Sequence, residues 1–367
     1  MKNKKTYLMT QEYVVVGHPD KVSDKISDAI LDAHLKEDNN SKVACETFVM
    51  GNFCLVGGEI TSKAKNVNIE KVIRETVKSI GYNRDELGFN GDTIEIVNKI
   101  TEQSPEINKM VDKSELGSGD QGFMIGFASN ESPDYLQLPY YLARKFGEQL
   151  KKSELWYLRP DAKTQATVEY DEYDKPIRIH TILVSTSHEP NIDKDTLITD
   201  FFDKIVHKVL PTLPENIRKL IDLKTLYKVN PNGSFVQCGP VGDSGLTGRK
   251  IVVDHGYYTV GGGAFSGKDF SKTDRSGAYY SRYIAKNMVA SGIADEVLIQ
   301  VAYIIGDVDA TSVNVKTKNN HITLSDIEIG EKIKSMFSFK PKDIVETLKL
   351  KNPIYSDTAS GGHFGRE

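Results

Sequence analysis

Strand-like and helix-like patterns alternate in three successive blocks along this chain, and no Pro/Ser-rich linker or low-complexity tract separates the blocks. That recurrence constrains the fold more than any other feature. At 367 residues the chain is longer than a single hydrophobic core usually serves, so more than one core is expected. Three related α+β modules satisfy both facts, with boundaries near residues 1–110, 115–238 and 239–367 and with strands free to exchange between neighbours.

In the first block, Val22, Ile26, Ala29, Ile30 and Ala33 recur at helical spacing and predict a helix over 21–37, starting at the Pro-Asp of GHPDK. KVACETFVMGNFCLVGGEIT reads as two strands around a Gly51-Asn52 turn, and NIEKVIRETVKSIG as a helix stopped by Gly81. In the second block, GDQGFMIGFAS predicts a strand and DYLQLPYYLARKFGEQLKK a helix. Residues 166–188 predict a hairpin turning at Tyr173 to Pro176, followed by a helical KDTLITDFFDKIVHKVL. In the third, GRKIVVD and EVLIQVAYIIGDVDATSVNVKT predict strands. TDRSGAYYSRYIAKNMVASG, closed by Gly292, and KPKDIVETLKLK, opened by Pro341, predict helices. The polar stretch 101–119 has no period and reads as a long loop, either a lid or a plain connector.

Charged residues make up 27% of the chain and the formal net charge is -4, which excludes disorder and bulk nucleic-acid binding, so any anion site must come from local clustering. Cys45, Cys54 and Cys238 form no CxxC pair and point away from a disulfide framework or a zinc site. No apolar run is long enough for a signal segment or a bilayer span, so a soluble cytoplasmic protein without membrane partners is expected.

Glycine-rich turns carry the charged residues. GGGAFSGKD resembles a Walker loop, but Asp269 stands where that motif needs Ser or Thr, and no strand runs straight into the glycines. GHPDK sets His18, Asp20 and Lys21 at a helix start, where free amides favour an anion, although an Asp there is ordinarily a cap. LRPDAKTQ places Arg159, Asp161 and Lys163 just before a predicted strand, and GDSGLTGRKI places Asp243, Arg249 and Lys250 before another. The third-block glycine loop adds Lys268, Lys272, Asp274 and Arg275, with Asp274 positioned to cap the next helix. LRPDAKTQ and GDSGLTGRKI taken alone read more as solvated loops, whereas the glycines and cations beside a helix start favour a phosphate site for the third-block loop; the sum of the segments describes a Mg²⁺-dependent polyphosphate site. No GxSxG elbow or HExxH pair is present.

GHPDKVSDKISDAILDA, ACETFV, LVGGEIT, GDQGFMIGFA, LRPDAK, GLTGRKI, GGGAFSGKDFSKTDRS and GHFGRE occur in an order that resembles the S-adenosylmethionine synthetase family over nearly the whole chain. The resemblance implies three α+β domains in pseudo-threefold arrangement, with mixed or antiparallel sheets covered by helices on one face. It implies transfer of adenosyl from ATP to the sulfur of L-methionine, then cleavage of the triphosphate to pyrophosphate and phosphate. Two Mg²⁺ and one K⁺ per site are implied, as is a homodimer that shares its sites between subunits; a dimer of dimers is common in the family.

Carried over by motif, His18, Lys163 and Lys268 are the catalytic candidates, Asp20 and Asp274 hold Mg²⁺, and Glu46 holds K⁺. Lys163, Arg249, Lys250 and Lys268 neutralise phosphates, while Asp161, Ser234, Phe235, Asp243 and Ala264 line the ATP site, Phe235 against adenine. Glu59, Gln103, Asp120, Asp243 and Lys272 contact methionine, and the loop from Gln103 resembles the family's gate. The chain departs from the family at Val15 and Val16 before Gly17, at Ser234 in place of a common Arg, at Ser244, at Phe270 and in a shortened HGYYTVGGG. None of these removes a metal ligand or a central cation, so activity with weakened ATP affinity is expected.

Overall fold

The first helix begins where Pro19 fixes φ and His18 caps, its Nδ1 accepting the amide of Asp20. It belongs to a computed structural model that describes residues 5–102 and 116–366. In chain order the first segment holds β1 (Thr6–Val14), α1 (Pro19–Glu37), β2 (Lys42–Met50), β3 (Phe53–Thr61), α2 (Ile69–Ile80) and β4 (Glu95–Thr101). The second holds β5 (Gly122–Ser129), α3 (Leu138–Lys152), β6 (Leu158–Asp171), β7 (Pro176–His188), the helical stretch α4 (194–209) and β8 (Leu226–Val229). The third holds β9 (Gly245–Leu246), α5 (Ile251–His255), α6 (Thr273–Ala290), β10 (Ala294–Tyr303), β11 (Ser312–Asn320), α7 (Asp326–Met336) and α8 (Pro341–Thr347).

These strands form three sheets, in the orders β4-β3-β2-β9, β1-β6-β7-β8 and β11-β10-β5. Only β3–β4 and β7–β8 pair in parallel. Each sheet takes a strand from another segment: β9 of the third joins the first, β1 of the first joins the second, and β5 of the second joins the third. This cyclic exchange weaves the modules together. One main helix covers each sheet, α1 on β2, α3 on β1 and β6, and α6 on β5 and β10. The fold is the expected α+β arrangement of three related units.

The predicted helices and hairpins appear at α1, α2, α3, α6, α8 and β2–β3, and Gly81 ends α2 at a φ of 115°. Five of these elements have no counterpart among the predicted ones: β1, β4, β8, β9 and α7. The sequence TYLMTQEYV of β1 has no clean alternation, and its pairing comes from β6, in register from Thr6 opposite Asp171 to Val14 opposite Lys163. GRKIVVD is a correction. Ile251–His255 is helical, not a strand, closed by Gly256 at a φ of 65°. Among the described residues no sheet edge accepts it; instead Tyr140 Oη donates to the Val253 carbonyl, and the His363 amide to that of Asp254, so tertiary contacts override β-branched propensity. LRPDAK lies within β6 rather than before it, across a register break between Leu158 and Ala162, and GDSGLTGRKI spans β9 and leads into a helix rather than a strand.

Candidate active site

Asp20, Asp24, Asp28 and Asp32 recur every fourth residue and so share one face of α1. Each accepts backbone amides from the third segment. Asp20 Oδ1 takes Leu246 N at 3.0 Å, Asp24 Oδ1 takes Gly248 N at 2.9 Å, and Asp28 Oδ1 takes Gly267 N at 2.8 Å. Asp32 takes Tyr355 N and Ser356 N at 3.0 and 2.7 Å. The stripe is therefore a rail that registers the charged loops. Two buried cations lock it: Lys21 bonds Asp254 at 2.7 Å and lies 2.9 Å from Asp24, and Arg275 grips Asp28 through two nitrogens at 2.6 and 2.8 Å.

At the N-terminal end of the rail stand His18, Asp20, Arg249 and Lys250. Lys250 Nζ lies 2.6 Å from Asp20 Oδ2 and Arg249 Nε 3.4 Å from Oδ1. Burial pushes the Asp20 carboxyl up, but the bonds from Lys250 and Leu246 outweigh it and hold the group below the ordinary carboxylate range. Burial, reinforced by Lys250 and Lys163, drives His18 down to about 3, so the ring is neutral. Because Nδ1 accepts from Asp20 N, the ring proton sits on Nε2, a donor ready for an anion.

The β1–β6 register puts Lys163 opposite Val14 at this end of α1. Asp161 Oδ2 accepts Gly239 N at 3.0 Å, and burial raises its carboxyl to about 6, with Asp243 adding to the rise. Phe235 is half-buried and its backbone is fixed by His188, whose amide donates to the Phe235 carbonyl at 2.9 Å and whose imidazole Nε2 accepts the Phe235 amide at 3.1 Å; Ser234 beside it is exposed.

A second group gathers about 12 Å further along α1, the rise between Asp20 and Asp28. Lys268 bridges to Ala44 of β2, and its Nζ lies 2.6 Å from Asp274 Oδ2. Ala44 pairs with Glu59 and Glu46 with Gly57, so both glutamates face one side of the β2–β3 ladder. With Thr247, Ala264 and Lys268 they line a cavity of about 260 Å³. Gly263 is obligatory, since a Cβ there would lie 2.1 Å from Asp274 Cγ. Lys272 Nζ bonds Asp269 at 2.9 Å, and Gly119 N donates to the Ser271 carbonyl, which brings the Asp120 segment beside Lys272. Asp274 is not the expected cap: Lys272 occupies the cap position of α6, and the Asp274 side chain turns to Lys268 because a charge pair outweighs a capping bond. Gln103 lies outside the described residues.

No group of three or more metal-ligating side chains exists among the described residues. Asp20 and Asp274 are instead single carboxylates opposed to lysines. That donor set fits Mg²⁺, which takes one or two carboxylates and completes its shell with substrate phosphates and water. The carboxylates of Glu46 and Glu59 are hard oxygen donors of the kind K⁺ accepts.

Models of the S-adenosylmethionine synthetase N-terminal, central and C-terminal domains match residues 6–105, 115–235 and 237–367, in that order. This chain belongs to the S-adenosylmethionine synthetase family. Family membership supports methionine adenosyltransferase activity, with ATP and methionine as substrates. Among the described residues no helix is long and apolar enough to cross a membrane. In this synthetase chain the rail residues Asp24, Asp28 and Asp32, with Asp254, are not among the candidates that the motifs mark, and Lys21 and Arg275, which are, turn out to be buried locks of the rail rather than phosphate ligands. The signal was available in the fourfold spacing of aspartates, which a soluble helix face does not need to bury.

Proposed function

We propose that the chain transfers adenosyl from ATP to the sulfur of L-methionine, then cleaves the released triphosphate to pyrophosphate and phosphate, with two Mg²⁺ and one K⁺ per site. The carrying observation is that each candidate Mg²⁺ carboxylate is already paired with a candidate phosphate cation, Asp20 with Lys250 and Arg249, Asp274 with Lys268. A thioether sulfur has no proton to lose, so the first step needs alignment and charge stabilisation rather than a general base. His18 donates from Nε2 to the departing phosphate; Lys163, Arg249, Lys250 and Lys268 neutralise it. A unit charge at 4 Å is worth about 4 kcal/mol at an effective dielectric of 20, so several cations acting together are required. Mg²⁺, held by Asp20 and Asp274, supplies further neutralisation of the phosphate oxygens. Phe235 stacks on adenine, with Asp161, Ser234 and Ala264 beside the nucleotide. Glu59, Gln103, Asp120, Asp243 and Lys272 hold methionine, and Glu46 holds K⁺.

The spacing of the two groups along α1 supports a site completed by a second subunit, His18, Asp20 and Lys163 coming from one chain and Lys268 and Asp274 from the other. The β4-β3-β2 ladder supports this too: the face that carries Glu46 and Glu59 also leaves Met50 55% exposed, with Phe48, Phe53, Leu55 and Val97 half-exposed. The product test is incubation with ATP, methionine, Mg²⁺ and K⁺. The sulfonium by mass spectrometry and pyrophosphate plus phosphate by ion chromatography are expected; ADP, or turnover without methionine, overturns the reading in favour of a phosphotransferase centred on Lys268. Mixing inactive Lys163→Ala and Lys268→Ala proteins tests sharing. A mixed dimer holds one intact site, so about a quarter of wild-type activity returns; sites confined to one chain return none.

A further inference from the structure

A separate cleft of about 300 Å³ touches Arg159, Pro160 and Ala162 of β6 but neither Asp161 nor Lys163. Its lining is mixed: Val15, Val16, Ile80, Leu150, Leu155 and Leu158 supply the apolar part, and Asn83, Arg84, Lys151, Glu154 and Thr186 the polar and charged part. Arg84 and Arg159 share one carboxylate, Glu189, at 2.6 and 3.0 Å. Lys151 has no ion pair among the described residues, so the surroundings keep a positive excess. The Arg159 side chain is 7% exposed, and its Nε is buried without a hydrogen-bond acceptor among the described residues. A polar group in that state is a donor still to be satisfied. A cleft of this volume that sets apolar side chains beside a few cationic groups has the make-up of a small-molecule site.

The cleft is tied to the substrate side by short connections. Arg159 NH1 donates to the Val236 carbonyl at 2.8 Å, next to Phe235. Val15 N donates to the Ala162 carbonyl at 3.1 Å, and Tyr82 Oη to that of Gly17, the residue before His18. An anion that draws the arginines away from Glu189 therefore pulls on the irregular segment carrying Phe235 and on the start of α1.

We infer that this cleft binds small amphipathic carboxylates, an aromatic or branched apolar body against the valines and leucines and a carboxylate on the Arg84–Arg159 side, and that occupancy changes nucleotide affinity. The probe is 2-naphthoate, titrated by fluorescence into the full chain, with uncharged 2-naphthamide as control. A charge-assisted contact makes 2-naphthoate bind at least about tenfold more tightly than the amide. Arg84→Ala, at an edge position 47% exposed in its side chain, removes that advantage and leaves basal activity unchanged. Leu155→Trp fills the cleft and blocks both probes. Saturating 2-naphthoate shifts the ATP dissociation constant, measured without methionine, by at least about threefold, reciprocally as linkage requires, and the shift vanishes in Arg84→Ala. Equal affinity for the two probes, binding that survives both substitutions, no saturable binding, or an unmoved ATP constant overturns the inference. The probe titration needs no turnover, so it stands apart from the test of adenosyl transfer.

Discussion

Replacing Arg275 by Met removes the cation that ties the phosphate loop to α1. The Arg275 guanidinium is 1% exposed, holds Asp28 at 2.6 and 2.8 Å, and also donates to the carbonyls of Phe265 and Lys268 and to Thr358 Oγ1. Met fills much of the volume but leaves Asp28 as an uncompensated buried charge. Breaking one partner of a buried pair costs about 3–5 kcal/mol, against a total stability of about 5–15 kcal/mol. The unfolded fraction therefore rises roughly 10²- to 10⁴-fold. Urea unfolding at fixed protein concentration measures it. Adding Asp28→Asn discharges the orphan while keeping the acceptor that Gly267 N uses at 2.8 Å, so the double variant recovers at least about 2 kcal/mol. Its ATP Michaelis constant stays raised, because the loop carbonyls still lack their donor. A single variant that loses less than about 1 kcal/mol, or a double variant no more stable than the single, refutes the rail as a stabilising and positioning device.

Lys268→Ala lowers kcat by about 10²–10³ with little change in the urea midpoint, since it removes charge from the leaving-group site while the lysine side chain is only partly buried, at 28% exposure. Steady-state kinetics and urea melts on the same preparation separate the two effects. Burial raises the Glu131 carboxyl from 4.5 to about 7, against the bonds it accepts from Leu138 N and Tyr170 Oη. Its folded value lies above its unfolded one, so its stability contribution is fully present below pH 4.5 and is lost as pH rises through about 7. Glu131→Gln therefore stabilises the protein by roughly 1–2 kcal/mol at pH 8 and by little at pH 4.5, read from urea midpoints at the two pH values. Ser234→Arg, at an exposed position beside Phe235, lowers the ATP Michaelis constant by adding a cation at the nucleotide edge; an unchanged constant removes Ser234 as the cause of weak ATP affinity.

Most of the candidate site was legible because its chemistry is concentrated in short glycine-rich segments. Gly263 has to lack a side chain beside Asp274, and Gly248 and Gly267 bring backbone amides to Asp24 and Asp28. The roles read for single residues were less secure. Asp274 looked like a cap because it sits near a helix start, yet Lys268, six residues earlier in the chain, decides where its carboxylate turns. GRKIVVD looked like a strand because β-branched residues favour one, yet Tyr140 and the chain's last turn claim its backbone.

The sequence by itself determined the local elements: period and caps set α1 and α2, turn residues set the β2–β3 hairpin, and clustered glycines and cations marked the phosphate-binding loops. Only the tertiary structure decided which segment completes which sheet, and which carboxylate answers which cation. β1 meets β6 across about 150 residues, and Asp20 meets Lys250 across more than 200. A helix or turn is stabilised within a few residues of itself, so its signal is written locally. A strand exchanged between modules, or a buried charge matched from another segment, is stabilised only after the chain has closed on itself, and its partner leaves no mark beside it in the sequence.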